Sequence, residues 1–144
     1  MKILIIGAMP EEITFLKEHL ENIKEKTIHN YAFYIGMIKK HNVVLVKSGV
    51  GKVMAGMMIS EAVNNFSTFD KIINLGVAGG YGNVQIGDII VGKSVVYGDV
   101  DVTYFQYSYG QVPTFPPAFE GDKELLALCT QDKVKLGTLC TTDM

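Results

Sequence analysis

Three glycine-punctuated turns carry the residues whose types and spacing could do chemistry. The first is Gly7-Ala8-Met9-Pro10-Glu11-Glu12, the second Ser48-Gly49-Val50-Gly51-Lys52, and the third Gly76-Val77-Ala78-Gly79-Gly80-Tyr81-Gly82. Pro10 suits the opening turn of a helix, because its missing N–H would have no partner there. Glu11 and Glu12 then fall where backbone N–H groups point outward and the dipole favours an anion. Such a carboxylate either caps its own helix or holds a polar group of a ligand. Taken alone, the stretch reads as a cap, and only the other two turns argue for more. The second turn fails both phosphate-binding patterns: Met54 occupies the third-glycine position of the dinucleotide fingerprint, and Val53 stands where a P-loop needs Ser or Thr. Its glycines let a backbone pass close either to another strand or to a ligand.

The elements that must position these turns follow from the apolar pattern. Ile3 to Ile6 form a short β-branched run bounded by Gly7, as in a strand buried on both faces. Ile13, Phe15, Leu16, Leu20 and Ile23 recur at helical spacing, predicting an amphipathic helix from Pro10 onward. After a turn at His29-Asn30, Tyr31–Ile38 and Val43–Ser48 read as a hairpin whose first strand is half exposed. A helix rich in small residues follows Lys52, then a buried strand at Lys71–Leu75. No helix pattern follows the third turn, so a Rossmann fold is disfavoured. That loop could equally be a wide turn with bulges. Strand patterns resume at Ile89–Val91 and Val95–Tyr97. Tyr97, Tyr104, Phe105, Tyr107, Tyr109, Phe115 and Phe119 then mix with Gly110, Pro113, Pro116 and Pro117. This irregular aromatic segment suits an interface or pocket wall, or a loop folded onto its own core. A short helix over Asp122–Cys129 and a strand over Lys135–Cys140 complete the pattern: strands and helices of one α/β domain spanning 1–144.

Bulk composition excludes several classes. A net charge of −2, with every one of the 13 basic residues a lysine, offers no arginine fork for guanine or phosphate, so nucleic-acid binding is disfavoured. His19, His29 and His41 stand apart from acidic or thiol partners at ligand spacing, so no metal site is expected. Cys129 and Cys140 read as reduced thiols. No run has transmembrane length, no signal-peptide core is visible, and the chain reads as cytoplasmic with no membrane partner.

Together, Ile5-Ile6-Gly7-Ala8-Met9-Pro10-Glu11-Glu12, Ser48-Gly49-Val50-Gly51-Lys52-Val53, Asn74-Leu75-Gly76-Val77-Ala78-Gly79-Gly80, Gly87-Asp88-Ile89 and Asp101-Val102-Thr103-Tyr104-Phe105 resemble the bacterial 5′-methylthioadenosine/S-adenosylhomocysteine nucleosidases. The order and spacing agree from Met1 to Met144, including Tyr109-Gly110-Gln111-Val112-Pro113. The resemblance implies a purine nucleoside phosphorylase-like fold, a mixed twisted sheet flanked by helices. It implies hydrolysis of the N-glycosidic bond of an adenine nucleoside in methionine salvage, without cofactor or metal. Glu12 falls on the family's catalytic glutamate, which holds the attacking water. Met9 falls beside the ribose and water, and Val50 near the alkylthio group. Ala78 and Gly79 fall on the loop lining sugar and base, with Val102 nearby. Phe105 and Pro113 match positions reaching into a neighbouring subunit's pocket, which implies a homodimer.

Cleaving a C–N bond at a ribosyl carbon develops positive charge on the sugar, and a nearby anion favours that transition state. A helix N-terminus stabilises the charged carboxylate, so Glu12 is expected to orient and polarise water rather than strip its proton early. A phosphorylase would need a cationic phosphate site, commonly arginine, and a carboxylate at the nucleophile's position repels phosphate. Two departures stand out. Val77 replaces the serine common in the family's glycine loop. The family's general acid, an aspartate, and the glutamate binding the ribose hydroxyls match positions beyond Met144, so the chain is expected to be an incomplete domain, its C-terminal part absent, with little activity alone. A purine phosphorylase-type enzyme and a non-catalytic nucleoside-binding or dimerising remnant stay open as alternatives.

Overall fold

Leu4, Ile5 and Ile6 are buried because β1 (Lys2–Gly7) has a parallel neighbour on each side and a helix over each face. The computed structural model describes residues 1–129 and 134–143, in two compact units, Met1–Ala78 and Gly79–Met144. In the first, β1 is followed by α1 (Pro10–Glu18), β2 (Glu21–Ile28), β3 (Tyr31–Ile38), β4 (His41–Lys47), α2 (Lys52–Phe66) and β5 (Lys71–Leu75). The strand order is β2-β3-β4-β1-β5, antiparallel through β4 and parallel from there on.

Strand alternation sorts the core into two faces. Leu4, Ile6, Val44, Val46 and Phe33 pack with Met58 and Ala62 of α2. Ile5, Val43 and Leu45 pack with Ile13 of α1 and with Leu20. Each fully buried side chain of this kind contributes about 1.5–3 kcal/mol relative to exposure, so the two helices are clamped to opposite faces of one sheet.

The helix expected to run past Leu20 ends at Glu18, with His19 as its C-cap. Asn22 takes a left-handed backbone (φ 54°), and the chain turns into β2, which pairs with β3 through a bulge between Glu21 and Lys24. Leu20 still faces the core, whereas Ile23 is 44% exposed. Glu25 and Lys26 pair across from Tyr34 and Phe33, and their charge discourages further strand addition at this edge. The expected half-exposure of β3 is also corrected: lying between β2 and β4, it has no exposed residue. β5 forms as expected, but Ile72 is 46% exposed because β5 is the opposite edge of this five-stranded sheet.

In the second unit β6 (Ile89–Tyr97) lies between β7 (Phe119–Glu120), antiparallel, and β8 (Val134–Thr141), parallel. Asp122 caps α3 (Lys123–Leu128), accepting from the N–H groups of Glu124 and Leu125. Residues 98–118 contain no strand, only a single 3-10 turn at Thr103–Phe105. Met144, the last residue of the resemblance, lies outside the described residues.

Candidate active site

The register of three parallel strands places the site. Gly7 pairs with Lys47 on one side and with Leu75 on the other, so β1, β4 and β5 end level with one another. All three glycine turns therefore leave the carboxyl edge of the sheet, where open α/β structures bind ligands. The first two are tied directly: the Ser48 N–H donates to the Gly7 carbonyl at 2.9 Å. Ser48 is 4% exposed, and its hydroxyl donates to Gly49 O at 2.9 Å.

Glu12 joins the first turn to the third. It is the third residue of α1, and its Oε2 accepts from the N–H groups of Ala8 at 2.6 Å and Met9 at 3.0 Å. The bond from Met9, the N-cap residue, completes the returning half of a capping box. Its other oxygen, Oε1, accepts from the Val77 N–H at 3.2 Å. The carboxylate thus caps its helix and also reaches sixty-five residues along the chain. Three of its roughly four lone-pair directions are filled by rigid donors, which fixes the carboxylate plane and leaves about one for a ligand or water.

Two glycines make room for it. A Cβ on Gly76 would lie 3.0 Å from Glu12 Oε1, and one on Gly7 would lie 2.6 Å from Ile13 Cγ2 and 3.1 Å from Glu12 Cβ. A side chain at position 76 would crowd the carboxylate itself, and one at position 7 would collide with Ile13 beside it. Val77 contributes only its N–H, its side chain being 81% exposed, so the missing serine hydroxyl leaves the contact to Glu12 intact.

Met9 (36% exposed), Glu12 and Ala78, next to Val77, lie around this junction, and Val50 (74% exposed) sits in the second turn. Gly79, Val102, Phe105 and Pro113 belong to the second unit. There Phe105 is 69% exposed, Gly79 and Pro113 are exposed, and Val102 is half-buried. The donors of Ala8, Met9 and Val77 are invisible in the sequence, because a backbone N–H has no side-chain signature. Only the glycine clusters around them signal that the backbone itself is in use. Among the described residues, no three His, Cys, Asp or Glu side chains come together as metal ligands.

The second unit holds its own glycine loop by a charged pair. Lys135 Nζ donates to Asp88 Oδ2 at 2.7 Å and to the Asn83 carbonyl at 3.0 Å, and Asp88 also accepts from the Gln85 N–H at 2.8 Å. The hydrogen bond from Lys135, then that from Gln85, holds the Asp88 carboxyl below its usual value.

Comparison with known proteins agrees with this geometry. The chain is 43% identical over 132 residues to the 5′-methylthioadenosine/S-adenosylhomocysteine nucleosidase of Bacillus cytotoxicus, covering 91% of this chain and 57% of that one. It is 46% identical over 127 residues to the protein of the same name from Anoxybacillus flavithermus, covering 88% and 54%. The solved structure of the nucleosidase from S. pneumoniae with a transition-state inhibitor superposes with a TM-score of 0.95 at 39% identity, over 100% of this chain and 65% of that one. The corresponding enzyme of Neisseria meningitidis, in complex with methylthio-immucillin-A, gives 0.93 at 34%, over 99% and 65%. The chain spans little more than half the length of these two curated relatives. Its fold is accordingly the mixed sheet with flanking helices of purine nucleoside phosphorylase-like proteins. The family model of the phosphorylase superfamily matches residues 2–144, and with its three glycine turns at one sheet edge the chain belongs to that superfamily.

Proposed function

We propose that this chain supplies the nucleophile side of an N-glycosidase site, in which water cleaves the bond between adenine and the ribosyl carbon of 5′-methylthioadenosine or S-adenosylhomocysteine. The observation that carries this is the Glu12 carboxylate, held by three backbone donors between the first and third glycine turns. As the C–N bond lengthens, positive charge gathers on the sugar, and a fixed anion favours that state without reorganising. Glu12 holds the attacking water on its remaining lone pair. By the same resemblance Met9 and Val50 wall the sugar and its alkylthio group and Ala78 lines sugar and base, and the family's further substrate contacts fall on Gly79 and Val102. The proton for the departing adenine comes, on this reading, from an aspartate in the part of the relatives that these residues do not span. Neither a metal nor a cofactor enters the reaction.

The two readings within the superfamily differ in the nucleophile. A chain without arginine, and with a carboxylate where phosphate would attack, favours water. Adenine release independent of added phosphate supports the hydrolase; a strict phosphate requirement makes it a phosphorylase. Phe105 and Pro113 belong, on the same reading, to the neighbouring subunit's pocket in a homodimer. The exposure of Tyr104 (91%), Phe105 (69%), Tyr109 (62%) and Phe115 (52%) supports this. The reaction belongs to methionine salvage in the cytoplasm; among the described residues no helix is long and apolar enough to cross a membrane.

The test is Glu12→Gln in the active enzyme carrying this chain. The amide keeps the shape but removes the anion, so turnover falls by about 10²- to 10⁴-fold while affinity for a substrate analogue holds. Turnover close to the parent's would refute the role.

A further inference from the structure

A cleft of about 580 Å³ opens on the first unit beside the second glycine turn, lined among others by His29, Lys47, Gly49, Met54, Met57 and Glu61. Met54, Met57 and Glu61 stand three and four residues apart on α2, and so share one face of that helix. Met54 packs over the turn, its Cε 3.5 Å from where a Cβ on Gly49 would lie. The two thioether side chains remain 41% and 56% exposed, forming a soft apolar floor. Lys47, which closes β4, lines the cleft, and its ammonium has neither hydrogen bond nor ion pair among the described residues. Glu61, also in the lining, is fixed but not saturated. Its Oε1 lies 3.1 Å from His29 Nδ1, and its Oε2 accepts from Asn65 Nδ2 at 3.2 Å. A carboxylate offers about four acceptor sites, so about two remain.

A cation, an apolar floor and an anion in one cleft are complementary to a zwitterion on an aliphatic stem. A bare methylthio group would use only the floor. Ser48 and Gly49 also line the cleft, and Ser48 bonds the Gly7 turn, so the cleft reaches the sheet edge from which the Glu12 turn leaves. We propose that it takes the amino-acid end of a thioether-linked adenine nucleoside, with the carboxylate on Lys47, the ammonium on Glu61 and the methylene–sulfur stem over Met54 and Met57. This rests on the glycosidase reading above and deepens it. S-adenosylhomocysteine and 5′-methylthioadenosine differ by this very group, so Lys47 and Glu61 set the preference between them.

The experiment compares kcat and KM for the two nucleosides in the longest polypeptide encoded with this chain, as parent and as Lys47→Met, Lys47→Arg and Glu61→Gln. Loss of one charge-assisted contact raises KM for S-adenosylhomocysteine about tenfold in Lys47→Met and in Glu61→Gln, with kcat kept and 5′-methylthioadenosine kinetics within about twofold of the parent. Lys47→Arg restores most of the loss. Equal changes for both nucleosides, or none for either, overturn the zwitterion site while leaving the glycosidase reading standing. A parent enzyme that releases adenine from neither nucleoside overturns the glycosidase reading, and this inference with it.

Discussion

The turn between Gly7 and Glu12 in the first unit and the aromatic segment of the second, residues 98–118, both carry residues of the candidate site, yet they are fixed in different ways. The turn is fixed by its surroundings. Its strand is buried on both sides, its helix packs on the sheet, a Cβ on Gly7 would collide with Ile13, and one on Gly76 would crowd Glu12. The aromatic segment is fixed by itself. Asp101 Oδ1 accepts from the Thr103 N–H and hydroxyl, the Tyr109 hydroxyl donates to Gly98 O at 2.8 Å, and the Gln111 amide donates to Phe115 O at 2.8 Å. Its backbone is folded inward on these bonds while most of its rings face outward. A turn fixed by a core holds a charge to within tenths of an ångström. A loop fixed by its own polar groups leaves apolar surface free for something else.

The contrast is broken most directly at the turn. Beyond the loss of turnover in Glu12→Gln, Glu12→Ala removes the acceptor of three backbone N–H groups and the cap of α1. It costs about 0.5–2 kcal/mol of stability, measurable by denaturant titration. Gly7→Ala drives a methyl to 2.6 Å from Ile13 Cγ2, so the core must shift, at a cost of about 1–3 kcal/mol. Gly76→Ala tests position instead of packing. Its methyl would lie 3.0 Å from Glu12 Oε1, and a displacement of a few tenths of an ångström lowers turnover about tenfold with little change in melting temperature. If Gly76→Ala keeps full turnover, the junction between Glu12 and the third turn is not what positions the water.

The same contrast governs what could be read from the sequence. β1, α2 and the hairpin of β3 and β4 were legible because burial forces an apolar pattern, and Pro10-Glu11-Glu12 after a glycine marked the helix start at its exact residue. β2 was not. Leu20 and Ile23 continue the helical spacing of α1, and the charges of an edge strand look like those of a solvated helix face. Asn22 with φ 54° and the bulge beside it break the helix, and neither leaves a hydrophobic signature. At the site the carboxylate was legible, whereas its partners Ala8, Met9 and Val77 act through backbone N–H groups. Ala8 and Met9 are local partners in the capping turn of α1, and Val77 is brought in only by the register of β1 with β5.

The aromatic segment makes the opposite prediction. Phe105 is 69% exposed and meets Tyr104 edge-on at 5.3 Å, so Phe105→Ala changes stability by no more than about 0.5 kcal/mol. If its ring enters a neighbouring subunit's pocket, the same change raises KM and weakens the dimer, as sedimentation would reveal. A destabilisation of several kcal/mol with an unchanged assembly state would instead make the segment a piece of core.

The smallest effect belongs to Asp88, which staples the loop after the third glycine turn to β8 through Lys135. Its carboxyl lies below its usual value of 3.8 because Lys135 and the Gln85 N–H donate to the charged form. A carboxyl lowered on folding adds stability above its unfolded value and loses that contribution as pH falls through the folded one. The contribution is therefore present at neutral pH and disappears below about pH 4. Asp88→Asn keeps an acceptor but removes the charge, so parent and variant differ slightly at neutral pH and converge as acid is added. Both groups are partly exposed, so the neutral-pH difference also shrinks in high salt. Unfolding curves that stay parallel from pH 7 to pH 3 would mean that Asp88 holds the loop by shape and not by charge.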